Sequence, residues 1–255
     1  MKPDTPRARF PFASRWLRSG QGELPILMYH KVKPVALDPW TVGVAELDRQ
    51  LAHLKSAGYR SISCQELINH LNGHAALPAR PVLITFDDGY SDNLLHACPL
   101  LERHGLRATM FLPVKFIGGE NEWDGGGERL LSYDELRTMP PDVVEFGLHS
   151  YAHGNYRRMS LREIETDLRQ CIGELETSGI PFIRALAYPY GRDPARRLWR
   201  RRSAHALLES LGIECGLRIG NRVNRLPIAD RFALQRIDIR SADTLEMFCR
   251  KLEGK

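Results

Sequence analysis

The chain has 255 residues, is 43% hydrophobic and carries 36 Lys and Arg against 31 Asp and Glu, for a formal net charge of +5. These totals fit one large α/β domain or two small ones. No apolar run approaches the roughly 20 residues of a membrane span, and no nucleic-acid motif accompanies the positive charge, so neither a spanning protein nor a nucleic-acid binder is indicated.

Residues 1–22 are basic and contain Pro but lack the apolar stretch of a signal peptide. They are expected to form a tail ahead of one domain over residues 23–255, in a chain that stays in the cytoplasm. Cys64, Cys98, Cys171, Cys215 and Cys249 are scattered, odd in number and free of any C-x-x-C pair, which fits reduced thiols.

After the tail, residues 24–29 (LPILMY) form an apolar strand ending at His30. A helical spacing over 44–57 follows, with Gly58 as its stop. Residues 61–63 read as a strand and 65–72 as a helix closed by Gly73. Residues 81–86 are an apolar, β-branched run, a buried parallel strand, and Asp87-Asp88-Gly89 stand at its C-terminal end. A helix over 91–104 and a strand over 108–112 come next. The connection over 113–132 is long and rich in Gly and polar residues, which marks it as a candidate functional loop. Ser132 with Glu135, and Ser160 with Glu163, form capping-box patterns that open helices at 133 and 161. Strands are expected over 143–148, 185–188, 215–218 and 234–239. A helix is expected over 194–211, with Asp193 as N-cap and Pro194 at its first position. The regular alternation predicts a parallel α/β domain of about seven β-α units, closer to a barrel than to an open sheet.

Two adjacent carboxylates repel each other unless a cation or a shared proton intervenes. A metal that binds one and leaves the other as a base resolves that conflict. His149 and His153 also follow a strand end, and a helical turn there would point both imidazoles to one side. Two histidines and one carboxylate leave a coordination position for water, as a hydrolytic metal requires.

The stretch 85–90 (TFDDGY) resembles the first motif of the polysaccharide deacetylases, carbohydrate esterases with a NodB-type domain. Residues 145–153 (EFGLHSYAH) are similar to the second motif and 186–191 (LAYPYG) to the third. The resemblance implies a deformed (β/α)7 barrel and metal-dependent removal of N- or O-acetyl groups from a sugar; for a chain expected in the cytoplasm the substrate is an N-acetylated glycan or a lipid-linked or nucleotide-linked precursor. By position, Asp88, His149 and His153 would bind the metal, zinc in most relatives, with Co2+, Ni2+ or Mn2+ as alternatives. Asp87 would be the general base, and the backbone N–H of Tyr190 the oxyanion donor, Pro189 having no N–H to offer. No histidine follows His205, so the usual C-terminal general acid is missing. The opening strand and His30 instead resemble the permuted branch that includes poly-N-acetylglucosamine deacetylases, which makes His30 the expected acid. Ala187 occupies a position where the family often has an arginine. Arg236 is the expected substitute and Arg184 the alternative, and Asp238 is a candidate to orient His30.

The pocket is expected to draw Tyr90, Trp123, Asp124, Pro189 and Tyr190 to the substrate, with Asn121 as a further polar contact. Alternatives on the same residues are an O-acetyl esterase, another amide hydrolase, and a carbohydrate-binding protein without turnover. Arg192, Arg196, Arg197, Arg200, Arg201 and Arg202 read either as a solvated helix face or as an attraction to anionic membrane, a lipid-linked substrate, a phosphorylated carrier or an acidic glycan.

Overall fold

The computed structural model describes residues 22–194 and 198–255, except for the side chains of 198 and 199. The basic N-terminal residues, Arg196 and Arg197 lie outside that range. In chain order the elements begin with β1 (Glu23–Leu24), β2 (Ile26–Tyr29), β3 (Lys31–Lys33), β4 (Thr41–Gly43), α1 (Val44–Ser56), β5 (Arg60–Ile62), α2 (Cys64–Leu71) and β6 (Pro81–Asp87). They continue with α3 (Cys98–His104), β7 (Ala108–Leu112), α4 (Tyr133–Thr138), β8 (Val144–Leu148) and α5 (Leu161–Ser178). The last are β9 (Ala185–Ala187), α6 (Leu198–Ser210), β10 (Cys215–Ile219), β11 (Asn224–Arg225), β12 (Leu234–Asp238) and α7 (Leu245–Leu252).

Seven parallel strands close a barrel in the order β2-β6-β7-β8-β9-β10-β12, and β12 returns to β2. The ring is irregular. Strands β8 and β9 share one register pair, Leu148 with Leu186, whereas β7 and β8 share five. Strand β5 pairs with the first residues of β6, so β6 has a third neighbour besides β2 and β7. The barrel is therefore the deformed seven-strand form expected from the sequence.

The strands read as continuous apolar runs because helices cover their outer face while a second core fills the interior. Outward residues such as Leu27, Tyr29, Ile84 and Phe86 pack with α1, α3 and α5. Inward residues Leu83, Phe111, Leu217 and Leu234 pack with Cys64, Leu67 and Ile68 of α2. Helix α2 is fixed by Glu145, whose carboxylate accepts from the Cys64 N–H and, at 2.6 Å, from the Thr109 hydroxyl.

Ser63–Glu66, Ser132–Glu135 and Ser160–Glu163 each form a complete capping box, the first of them not foreseen in the sequence. Two other expectations are corrected. The first strand breaks at Pro25, which has no N–H for a ladder, so Glu23 and Leu24 pair with β11 instead. The helix over 91–104 opens with a π-helical turn, Asn93–Ala97. Helix α6 is described over Leu198–Ser210, and the expected start of that helix after Asp193 and Pro194 falls on residues 195–197, outside the described residues; the Asp193 carboxylate accepts from Arg218 at 2.8 Å.

Candidate active site

Strand alternation sends Leu83, Thr85 and Asp87 of β6 inward, and likewise Leu234, Arg236 and Asp238 of β12. Asp87 is the last residue of β6 and is 2% exposed. Arg236 grips it in a two-pronged ion pair, Nη1 to Oδ1 at 2.6 Å and Nη2 to Oδ2 at 2.7 Å, and is itself fully buried. Arg184 bonds Glu176 and the Leu211 carbonyl, so Arg236 is the arginine at the carboxylate. Burial alone would push the Asp87 carboxyl up; the charge and hydrogen bonds of Arg236, together with His149 and His30, outweigh it and hold the group below its ordinary range.

Asp88 leaves the strand in a left-handed conformation, φ 73°, followed by Gly89 at φ 68°. The turn presents Asp88 Oδ1 to His149 Nε2 at 3.4 Å and to His153 Nε2 at 3.3 Å. The three donor atoms lie within 4.8 Å of one another, all on buried residues. The histidines are not brought together by a helical turn as the spacing suggested. Ser150 and His153 take left-handed backbone, φ 66° and 52°, and fold the loop so that both rings face Asp88.

These residues fit a metal ion. His149 Nδ1 donates to the Ala187 carbonyl at 2.8 Å, which leaves Nε2 as the lone-pair atom facing the cluster. Burial pushes the His149 pKa down to about 4, so the ring is neutral at physiological pH. Asp88 Oδ1 is buried and has no hydrogen-bond partner. Burial would raise the Asp88 carboxyl, but His153 and His149 hold it well below the usual carboxylate range. An ionised carboxylate oxygen without a hydrogen-bond partner and the two imidazole nitrogens that face it form a donor set suited to a divalent cation.

A cavity of about 220 Å³ opens over this cluster. His30 forms part of its wall, its Nδ1 buried without a hydrogen-bond partner and its ring 4.9 Å from that of Trp40. Asp238 does not orient His30. Its Oδ2 accepts from Arg240 Nε at 2.6 Å, its Oδ1 has no partner, and the Arg240 guanidinium lies over Trp40 at 4.8 Å. Trp40 and Lys31 line the cavity although neither was singled out in the sequence. Lys31 opens β3 and Trp40 immediately precedes β4, a small ladder with no strong periodic signature.

The long loop is folded back onto the site by backbone bonds from Leu131 N–H to the Gly89 carbonyl at 2.8 Å and from Ser91 N–H to the Arg129 carbonyl at 3.0 Å. Trp123 thereby stacks on His153 at 4.3 Å, and Tyr90 and Asp124 join the lining. Asn121 does not reach the cavity: it is buried and accepts from the Glu128 N–H at 3.0 Å, holding the loop together. Pro189, expected at the substrate, is buried and does not line the cavity; it opens the single turn that carries Tyr190 and Gly191 to the wall. Tyr190 takes φ 58°, is 49% exposed and sets its ring edge-on to His153 at 4.8 Å. Gly191 is required there, since a Cβ would stand 2.2 Å from Ile219. Left-handed residues at 88, 150, 153 and 190 surround one cavity, a concentration of backbone strain typical of functional sites.

The polysaccharide deacetylase family model matches residues 74–214. A protein of Bacillus subtilis named for that family, YxkH, is 25% identical over 180 residues, covering 70% of this chain and 61% of the relative. The poly-β-1,6-N-acetyl-D-glucosamine N-deacetylase of Staphylococcus epidermidis is 25% identical over 224 residues, 84% of this chain and 73% of that protein. The same fold occurs in the Streptococcus pyogenes deacetylase PplD, with a TM-score of 0.76 at 21% identity over 91% of this chain and 99% of the other. It also occurs in IcaB from Ammonifex degensii, with a TM-score of 0.74 at 23% identity over 91% and 98%. The match spans more than half of the sequence and includes the strand ends that carry Asp87, Asp88, His149 and His153, and the chain belongs to the polysaccharide deacetylase family.

Proposed function

We propose that the chain is a metal-dependent hydrolase that removes the acetyl group from an N-acetylated sugar. The observation that carries this reading is the convergence of Asp88, His149 and His153, with Asp87 clamped by Arg236 beside them. A divalent ion held by those three residues, zinc first, would lower the pKa of a water to about 7 and polarise the acyl carbonyl.

The two carboxylates divide the work for a physical reason. Both Asp87 oxygens already accept from the Arg236 fork, which suits an orienting role, whereas Asp88 Oδ1 is unengaged and free to be a ligand. Each carboxylate oxygen still has a second lone pair, so Asp87 can take the proton of the attacking water while Arg236 fixes its direction. His30, in the same cavity, gives a proton to the leaving amine, a task for which an imidazole is suited near neutral pH. The Tyr190 N–H donates to the oxygen that becomes negatively charged as the carbonyl is attacked. Trp123 and Tyr190 offer aromatic faces to the sugar ring, and Tyr90 and Asp124 offer it polar atoms.

The name of the Staphylococcus relative supports β-1,6-linked N-acetylglucosamine oligomers as the first substrate to try. The test is acetate release from such oligomers and from phosphate-linked N-acetyl sugars, with chelator and after addition of zinc. Release that chelator abolishes and zinc restores is the expected result; release unaffected by chelator would overturn the metal-dependent reading. Among the described residues no helix is long and apolar enough to cross a membrane.

A further inference from the structure

A second cavity, of about 700 Å³, lies between α6 and the connection from β10 to β12. Its described lining holds four arginines, at 201, 218, 222 and 225, against two carboxylates, Asp193 and Asp230. Arg218 donates to Asp193 at 2.8 Å, and Arg201 pairs with Asp230, which also has His205 Nε2 at 3.7 Å. Arg222 and Arg225 have no ion pair among the described residues, so the lining carries two uncompensated positive charges. The Nε of Arg218 is in addition buried without a hydrogen-bond partner.

This cavity shares a wall with the candidate active site. Along the turn after β9, Tyr188 and Asp193 face the second cavity, whereas Tyr190 and Gly191 between them face the first. At the end of β10 the same alternation recurs: Arg218 and Gly220 line the second cavity and Ile219 the first. The close approach of Gly191 to Ile219 is the ridge between them.

We propose that the second cavity is a phosphate subsite, which takes the phosphate or diphosphate of an N-acetyl sugar whose acetyl group lies in the first cavity. Guanidinium groups match phosphate oxygens with paired N–H donors. A phosphate monoester carries about −1.5 to −2 charges at pH 7, and a diphosphate bridge a similar total, which balances the two free arginines; a single carboxylate would leave one uncompensated. The identity of the sugar-bearing substrate rests on the deacetylase reading, while the phosphate site itself does not. A nucleotide-linked sugar and a lipid-linked sugar present the same diphosphate, so this chemistry serves either source.

The test titrates the full-length protein with inorganic pyrophosphate by calorimetry. It compares the wild type with an Arg222→Ala/Arg225→Ala variant and with an Arg60→Ala/Arg103→Ala control that removes equal charge from β5 and α3. All four side chains are on exposed residues, so folding is preserved. We expect the control to match the wild type and the cavity variant to bind at least ten-fold more weakly; equal binding by all three proteins overturns the site. A second arm measures acetate release from uridine-diphosphate-linked N-acetylglucosamine, from its polyprenyl-diphosphate counterpart in vesicles, and from neutral oligomers. KM should rise at least ten-fold in the cavity variant for whichever diphosphate substrate is used, with kcat and the neutral oligomers unchanged. An equal change on neutral oligomers, or none on any substrate, overturns the substrate assignment. Failure of every substrate to release acetate would remove the deacetylase reading, and the pyrophosphate titration would still decide the phosphate site.

Discussion

The two neighbouring cavities are built in opposite ways. In the first, the groups face one another at close range: Asp87 is paired with Arg236, and Asp88 faces two imidazoles, all on buried residues at or just past strand ends. In the second, positive charge is in excess, and Arg222 and Arg225 are exposed on a connection and a two-residue strand. Groups that move protons need fixed geometry and a dry setting, which strand ends of a parallel barrel supply. Groups that attract an anion need only charge and reach. Disturbing the first cavity should therefore cost rate and stability together, whereas disturbing the second should cost affinity alone.

The largest effect is expected in the first cavity. Replacing Asp87 by Asn should lower kcat for acetate release by about 10²–10⁴-fold, the usual value of a general base. Next comes Arg236→Met, which leaves Asp87 buried and uncompensated. Urea unfolding should show a loss of about 3–5 kcal/mol, and adding Asp87→Asn should recover much of it. If the single and double variants were equally unstable, the ion pair would not be what the arginine contributes. His30→Gln should lower kcat by about 10²-fold with metal content unchanged, as atomic absorption would read it. A variant with wild-type kcat would take His30 out of the chemistry. The arginine variant of the second cavity sits below these, a change in KM confined to diphosphate substrates.

The smallest effect lies at the base of the loop that carries Trp123. Hydrogen bonds from Arg129 first, and from the Ser132 backbone, hold the Glu135 carboxyl down to about 2, against an ordinary value of 4.5. A pKa lowered on folding stabilises the protein fully above 4.5, and that stabilisation fades as pH falls toward 2. Glu135→Gln should thus cost about 0.5 kcal/mol at pH 7, given the solvent screening of this pair. Its urea midpoint should converge on that of the wild type as pH is lowered; a gap that stays constant with pH would rule out the ionised carboxylate as its cause.

What the sequence made legible follows from how local each signal is. The run that ends in Asp87, Asp88 and Gly89 contains its own strand, its own carboxylates and its own turn, so both its position and its chemistry could be read directly. Their spacing after a strand end, and then the family motifs, pointed to His149 and His153 as a pair, but the left-handed Ser150 and His153 that bring them together carry no periodic signal. Arg236 meets Asp87 only because β12, β2 and β6 are successive neighbours in the closed ring. Arg236 was expected at Asp87 through the family resemblance, and the ring order supplies the physical reason for the contact. The same non-locality misled the reading of Asp238, which the nearby Arg240 engages in place of His30. Trp40 and the arginine-lined cavity were invisible for a related reason: they depend on segments without periodicity that the barrel brings to one rim.

The central claim is that Asp88, His149 and His153 hold a metal while Asp87 moves the proton. The most direct measurement is metal content and acetate release, side by side, for Asp87→Asn and His149→Ala. The account predicts that Asp87→Asn keeps one metal ion per chain and loses turnover, and that His149→Ala loses both. An Asp87→Asn protein with wild-type turnover, or a His149→Ala protein that binds metal as tightly as the wild type, would contradict it.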